Sequence, residues 1–308
     1  MAVALVIVLG LALAAVANLT PDIPLETLKH RYGQPPSKFL QLGGLSVHYR
    51  DKGQGKPLVL IHGTGASLHT WQGWSGLLRR NFRVIRMDLP GFGLTGPEPS
   101  GDYTSEAYVR FIERFAAKLG LETFDLAGNS LGGFIAWRYA VAHPERVRRL
   151  ILLDASGYPR QHPPPLVFRL AQMPVLSSLL ARMDPRPLVS RSLRDAYADA
   201  SKVTPDLVDL YTDLALRLGN RQAFSARVST SEPDHTGELR QIVAPTLILW
   251  GRLDALVPVS DAERFAHDIR PSRLVIYEGV GHVPMEESPG RSAADAEAFL
   301  LEDRLTGR

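Results

Sequence analysis

The stretch Leu126-Ala127-Gly128-Asn129-Ser130-Leu131-Gly132-Gly133 constrains the fold of this chain more than any other. It begins as an apolar run, breaks at small residues around one serine, and continues with helical spacing from 134 to 142. Gly-x-Ser-x-Gly is the pattern of a sharp strand-to-helix turn, a nucleophile elbow. Glycines two before and two after the serine let the arms of the turn approach and leave room for a strained serine. The hydroxyl of such a serine stands exposed at the strand end. The next amide, Leu131 N–H, opens the helix and is aimed at an oxyanion developing beside it. A chance Gly/Ser turn has the same letters, so partners elsewhere in the chain decide its meaning.

Apolar runs at 57–61, 83–88, 147–153, 246–250 and 274–277 read as strands, and helical spacing occupies 68–80, 105–119, 260–269 and 288–301. Residues 38–51 alternate apolar and polar across Gly43-Gly44, as a β-hairpin does. Strands alternating with helices imply an α/β fold with a mostly parallel, doubly wound sheet. The alternation breaks at 157–243, where amphipathic helices at 166–172, 175–182, 188–200 and 206–218 are separated by prolines and no convincing strand occurs. Such an excursion reads as an inserted helical cap between two core segments, 38–156 and 244–308. Residues 18–37, with Pro21, Pro24, Pro35 and Pro36, read as a linker packed on the outside.

With 308 residues, 45% hydrophobic and 22% charged, the chain can bury a large core. The net charge is +3 and its bases are interspersed with acids, which leaves no footprint for nucleic acid. Absence of cysteine excludes disulfides, thiolate catalysis and cysteine-ligated metals. Residues 1–17 carry no charged side chain. As a helix they would span about 25 Å, short of a ~30 Å hydrocarbon core. Ala15-Val16-Ala17 has the look of a signal-peptidase site, although no Lys or Arg precedes the apolar run. We read this segment as a signal peptide or membrane anchor, which implies membrane association and a cell-envelope location. A buried core helix in a cytoplasmic protein is the alternative.

A serine hydroxyl needs an adjacent base to attack at neutral pH, usually a histidine held by a carboxylate. Trp250-Gly251-Arg252-Leu253-Asp254 puts Asp254 at the C-terminal end of a parallel strand, and Glu278-Gly279-Val280-Gly281-His282 brings His282 to the same edge. Open α/β sheets place their ligands at that edge. The order Ser130, Asp254, His282 along the chain is the one this hydrolase architecture uses. Asp154 also ends a strand and is a rival for the acid, with a poorer local context. The loop His62-Gly63-Thr64-Gly65 offers a second oxyanion amide at Thr64, beside that of Leu131. His62 reads as packed beneath this loop, Asp88 as a brace for the turn at 89–93, and Glu286 and Glu287 as carboxylates at a helix start. No His/Asp/Glu cluster has ligand spacing and no phosphate loop occurs, so neither a metal nor an organic cofactor is implied.

These residues carry a resemblance. The chain looks like an α/β-hydrolase fold protein of the lid-bearing, serine-nucleophile esterase and lipase kind. The motifs are His62-Gly63-Thr64-Gly65, Asp88-Leu89-Pro90-Gly91-Phe92-Gly93, Gly128-Asn129-Ser130-Leu131-Gly132-Gly133, Trp250-Gly251-Arg252-Leu253-Asp254 with Val257-Pro258, and Gly281-His282-Val283-Pro284 with Glu287. Together they span about 38–304. The resemblance implies a catalytic triad of Ser130, His282 and Asp254 acting on a small-molecule carboxylic ester. Aspartate-nucleophile members are set aside because position 130 is serine, and perhydrolase activity could accompany the same triad. The elbow also resembles that of carbon–carbon hydrolases acting on ring meta-cleavage products. Those enzymes typically have Trp after the histidine and Gly-Pro-Gly in the oxyanion loop, where this chain has Val283 and Gly65-Ala66-Ser67. A non-catalytic binding protein of this fold is a third reading. Phe168, Leu170, Met173, Leu176, Leu179 and Leu180 of the cap, with Trp71 or Phe134 of the core, are the expected apolar pocket wall, unless they only form the cap's own core.

Overall fold

A computed structural model describes residues 19–159, 166–173 and 181–302. A first helix, α1 (Leu25–Tyr32), precedes the hairpin β1 (Ser37–Leu42) and β2 (Leu45–Lys52), which turns at Gly43-Gly44 as its alternation predicts. Then come β3 (Lys56–Ile61), α2 (Gln72–Leu78), β4 (Phe82–Met87), α3 (Ser105–Lys118), β5 (Phe124–Asn129), α4 (Leu131–Ala142) and β6 (Val147–Leu153). The described residues between β6 and the next strand hold no strand but four α-helices: α5 (Leu166–Ala171), α6 (Arg186–Ala196), α7 (Pro205–Ala215) and α8 (Asn220–Ser229). The alternation resumes with β7 (Thr246–Gly251), α9 (Val259–Asp268), β8 (Ser272–Tyr277), the single turn α10 (Pro284–Glu287) and α11 (Pro289–Leu301).

The eight strands form one sheet in the order β1-β2-β4-β3-β5-β6-β7-β8. The hairpin joins β4 antiparallel, and every pair from β4 to β8 is parallel. Helices on both faces explain why the central strands are apolar throughout. In β3, Val59 and Ile61 join the cluster that holds Phe111, Phe115 and Ile135, whereas Leu58 and Leu60 join the opposite one with Trp71, Trp74 and Phe299. That alternation is the two-residue period of a strand. The register pairs Ile61 with Gly128, Asn129 with Leu153, and Leu153 with Leu249, so neighbouring strands end level. The loops carrying Thr64, Ser130, Asp154, Asp254 and His282 leave from that edge.

Two elements differ from the sequence expectation. Residues 18–37 are more than a linker, because Pro24 precedes a two-turn helix instead of preventing one. Leu28 of α1 is fully buried with Leu94 and Leu214, and Leu25 and Tyr32 pack at its flanks. The segment is also tied to the insertion: the Arg221 guanidinium donates to the carbonyls of Thr20 and Met183 and to Asp22, and Arg31 and Tyr32 donate to Asp213. The second difference is α8, whose mixed polar face has no clear helical period. Residues 1–17 and nearly all of the helix expected at 175–182, with Leu176, Leu179 and Leu180, lie outside the described residues. Among the described residues no helix is long and apolar enough to cross a membrane.

Leu28→Ala should therefore lower the free energy of unfolding by about 3 kcal/mol, as truncation of a fully buried leucine does. Urea denaturation measures it; a loss below about 1 kcal/mol would mean that α1 is not part of the core.

Candidate active site

The turn at Ser130 has the strain that its motif predicts. Ser130 has φ 54° and ψ −118°, a region that costs a non-glycine residue about 1–3 kcal/mol. The two glycines are required by close approach. A Cβ on Gly128 would lie 2.1 Å from the Gly132 carbonyl oxygen, and one on Gly132 would lie 2.2 Å from that of Ile61. The Ser130 amide donates to Leu153 O (3.1 Å), and its carbonyl accepts from Phe134 N–H (2.9 Å) and Ser156 N–H (3.1 Å). Leu131 is the first residue of α4, so its amide has no intrahelical acceptor. Asn129, beside the serine, spans two loops: its Nδ2 donates to Leu153 O (3.1 Å) and to His282 O (3.0 Å).

Of the two candidate acids, Asp254 holds the histidine. His282 Nδ1 donates to Asp254 Oδ2 at 2.7 Å. The other oxygen, Oδ1, accepts from Leu256 N–H (2.7 Å) and Val257 N–H (3.0 Å). With Nδ1 engaged, Nε2 is the free ring nitrogen, the arrangement a general base requires. Asp154 lies behind this pair, in the left-handed region at φ 45°. Its Oδ1 accepts from Gly251 N–H (2.9 Å), and burial, then the charge of Asp254, raise its pKa well above the ordinary value. Oxygen and nitrogen atoms of Asp154, Asp254 and His282 lie within 4.8 Å of one another, a grouping that no spacing in the sequence reveals.

The histidine loop is strapped to the insertion by two carboxylates that sequence reasoning assigned to a helix dipole. Glu287 is buried and accepts from Gly281 N–H (2.7 Å), Ala198 N–H (3.2 Å) and Asp199 N–H (2.8 Å). Glu286 accepts from Tyr197 OH (2.6 Å), Tyr211 OH (2.7 Å) and Thr70 Oγ1. His282 N–H itself donates to Ala196 O (2.7 Å) at the end of α6. The only hint in the sequence was that Glu287 belongs to the Gly281-His282-Val283-Pro284 motif.

His62 and Asp88 brace the loops as expected. The His62 ring donates from Nδ1 to Gly63 O (2.8 Å) and accepts Leu89 N–H (2.9 Å) at Nε2, and burial lowers its pKa. Asp88 accepts from His48 Nδ1, Leu68 N–H and Leu94 N–H, each at 2.7 Å. Burial alone would raise its pKa, but His48, then His62 and His69, hold it well below the ordinary carboxylate range.

Ser130, His282 and Thr64 line one cavity of about 230 Å³, whose walls include Leu188, Leu193 and Phe224 of the insertion. Phe168 lines it as expected, but Leu170 and Met173 do not; Met173 is 53% exposed. Trp71 is buried in the core instead, and Phe134 faces a second cavity, of about 360 Å³, that also meets Thr64 and Leu131. The first cavity thus brings a serine hydroxyl, an imidazole and an apolar wall together.

Residues 56–289 match the alpha/beta hydrolase fold family, so the chain belongs to it. It is 31% identical over 271 residues to a 2-hydroxy-6-oxo-2,4-heptadienoate hydrolase of Pseudomonas putida, covering 82% of this chain and 92% of that one. Among solved structures it is similar to a membrane phospholipase A that is a bacterial virulence factor (TM-score 0.74, 29% identity, 97% of this chain and 96% of that one). It is also similar to a thermophilic esterase from Thermogutta terrifontis (TM-score 0.73, 26% identity, 86% and 96%).

Glu287→Ala would leave the amides of Gly281, Ala198 and Asp199 without their acceptor. The expected result is a loss of about 3 kcal/mol in urea denaturation, with turnover reduced because the histidine loop loosens. A variant as stable as the parent would contradict the role of this strap.

Proposed function

We propose that this member of the α/β-hydrolase fold family cleaves carboxylic esters with an apolar acyl group, through a Ser130–His282–Asp254 triad and an acyl-enzyme. The observation that carries the reading is the 2.7 Å His282–Asp254 bond at the wall of the cavity that Ser130 lines. Ser130 Oγ attacks the ester carbonyl while His282 Nε2 takes its proton. Asp254 keeps the imidazole in the tautomer that leaves Nε2 free and stabilises the imidazolium that forms. The amides of Thr64 and Leu131 receive the tetrahedral oxyanion. His282 then protonates the leaving alcohol and later activates the water that releases the acid. Residues 157–243 act as a cap that keeps water from the acyl chain, and apolar walls from Leu188, Leu193 and Phe224 favour an aliphatic chain. Residues 1–17 direct the enzyme to the cell envelope, as a signal peptide or a membrane anchor, and a membrane phospholipase among its structural neighbours is in keeping with that.

A second reading, carbon–carbon hydrolysis, is favoured by the identity with the heptadienoate hydrolase. Such a substrate carries a carboxylate and calls for a cationic partner. Arg221, the guanidinium that lines the cavity among the described residues, has both terminal nitrogens committed to Thr20, Met183 and Asp22, with its charge met by Asp22 and its Nε buried without a partner. This commitment, with Val283 after the histidine, supports the ester reading.

A p-nitrophenyl ester series of increasing chain length tests it. Turnover should rise from acetate to medium chains. Ser130→Ala and His282→Ala should each lose about 10⁶-fold in kcat, and Asp254→Asn about 10⁴-fold. Serine-dependent cleavage of a ring-cleavage dienoate without ester turnover would instead establish the second reading, and no turnover of either would leave a binding protein.

A further inference from the structure

Asp154 takes no part in the mechanism above, yet its surroundings are unusual for an idle carboxyl. Its backbone lies in the left-handed region, which disfavours a residue with a side chain. The side chain is fully buried, and only one of its oxygens has a donor: Oδ1 accepts from Gly251 N–H, while Oδ2 has no partner. A buried carboxylate oxygen without a donor is costly. Another carboxyl stands close by: an oxygen of Asp154, an oxygen of Asp254 and a ring nitrogen of His282 lie within 4.8 Å of one another.

Burial, then the negative charge of Asp254 beside it, both push Asp154 toward its neutral form. The hydrogen bonds place the proton on the same residue. Asp254 accepts from Leu256 N–H, Val257 N–H and His282 Nδ1, all of which favour its anion. Asp154 accepts from Gly251 N–H alone. With its proton on Oδ2, Asp154 can satisfy the orphan atom by donating to Asp254. The other groups that face Asp154 favour the same state. Glu287, from α10, adds negative charge, the phenol of Tyr277 at the end of β8 is kept neutral by burial, and His282 is engaged with Asp254.

We propose that Asp154 is a positioning residue of the triad: its neutral carboxylic acid donates a hydrogen bond to Asp254 and so fixes the carboxylate that orients His282. The proposal rests on the triad reading of the previous subsection. It gives the acid of the site two layers, an anion against the imidazole and a neutral acid behind it. The hydrogen bond also withdraws charge from Asp254, which keeps the imidazolium of His282 from becoming too stable to return its proton.

The test compares Asp154→Asn, which keeps a neutral donor on the same frame, with Asp154→Ala, which removes it. Asp154→Asn should stay within about threefold of the parent in kcat, whereas Asp154→Ala should lose at least about tenfold with KM little changed. The acid limb of the kcat/KM profile should move to higher pH in Asp154→Ala, because Asp254 then holds the proton of His282 more firmly, and stay in place in Asp154→Asn. Independently of activity, the infrared difference spectrum of parent minus Asp154→Asn at neutral pH should contain a carboxylic-acid C=O band. Absence of that band, or an acid limb that does not move in Asp154→Ala, would overturn the proposal. The Ser130→Ala control separates the two claims: turnover that survives it removes the triad reading itself, whereas turnover it abolishes leaves only the role of Asp154 at stake.

Discussion

The near contact of Gly128 with Gly132 is the constraint on which the rest of the molecule depends. Two chain segments meet where no Cβ fits, and the residue between them is forced into a conformation with positive φ. That strain is held by the surrounding hydrogen bonds, from Ser130 to Leu153 and from Phe134 and Ser156 back to Ser130. β5, which carries the turn, lies between β3 and β6, so both of its neighbours deliver their loops to the same place. Parallel pairing makes this automatic: strands that run the same way and end level present their C-terminal loops together.

A second layer of organisation is polar and joins the insertion to the sheet. Glu286 and Glu287 follow His282 closely, and between them they accept hydrogen bonds from Thr70, Tyr197, Tyr211, Ala198, Asp199 and Gly281. The loop that carries His282 is therefore held by the insertion, which also lines the cavity. Asn129 ties the same loop to the elbow from the other side, through His282 O. A buried carboxylate such as that of Glu287 is stabilising only while its acceptors are met, and the donors to this half-buried and buried pair come from four separate segments of the chain. The Ser130 turn, the His282 loop and the insertion are thus mechanically one unit.

This division explains what could be read from the sequence. Strand and helix positions were legible because burial on two faces makes apolar runs and burial on one face makes helical periods. β6, at Val147–Leu153, coincides with the apolar run. That Ser130, Asp254 and His282 would come to one sheet edge was legible because each follows a strand and sits in a glycine-rich motif. The polar straps were not, since a buried glutamate that accepts three amides looks the same in a sequence as one at a solvated helix start. α1 was missed because prolines on both sides made a short helix look like a linker. Asp154 was visible as a rival to Asp254, but only the fold shows that the two stand together, with Asp254 alone on the imidazole.

The central claim is that Ser130 becomes covalently acylated during turnover. Rapid acid quenching of the enzyme during steady-state hydrolysis of a slowly deacylated ester, followed by intact-mass and peptide mass spectrometry, tests it most directly. The account predicts an enzyme species heavier by one acyl group, with the modification on the peptide that contains Ser130 and none in Ser130→Ala. Turnover without any acylated species under conditions where deacylation limits the rate, or acylation at another residue, would contradict it.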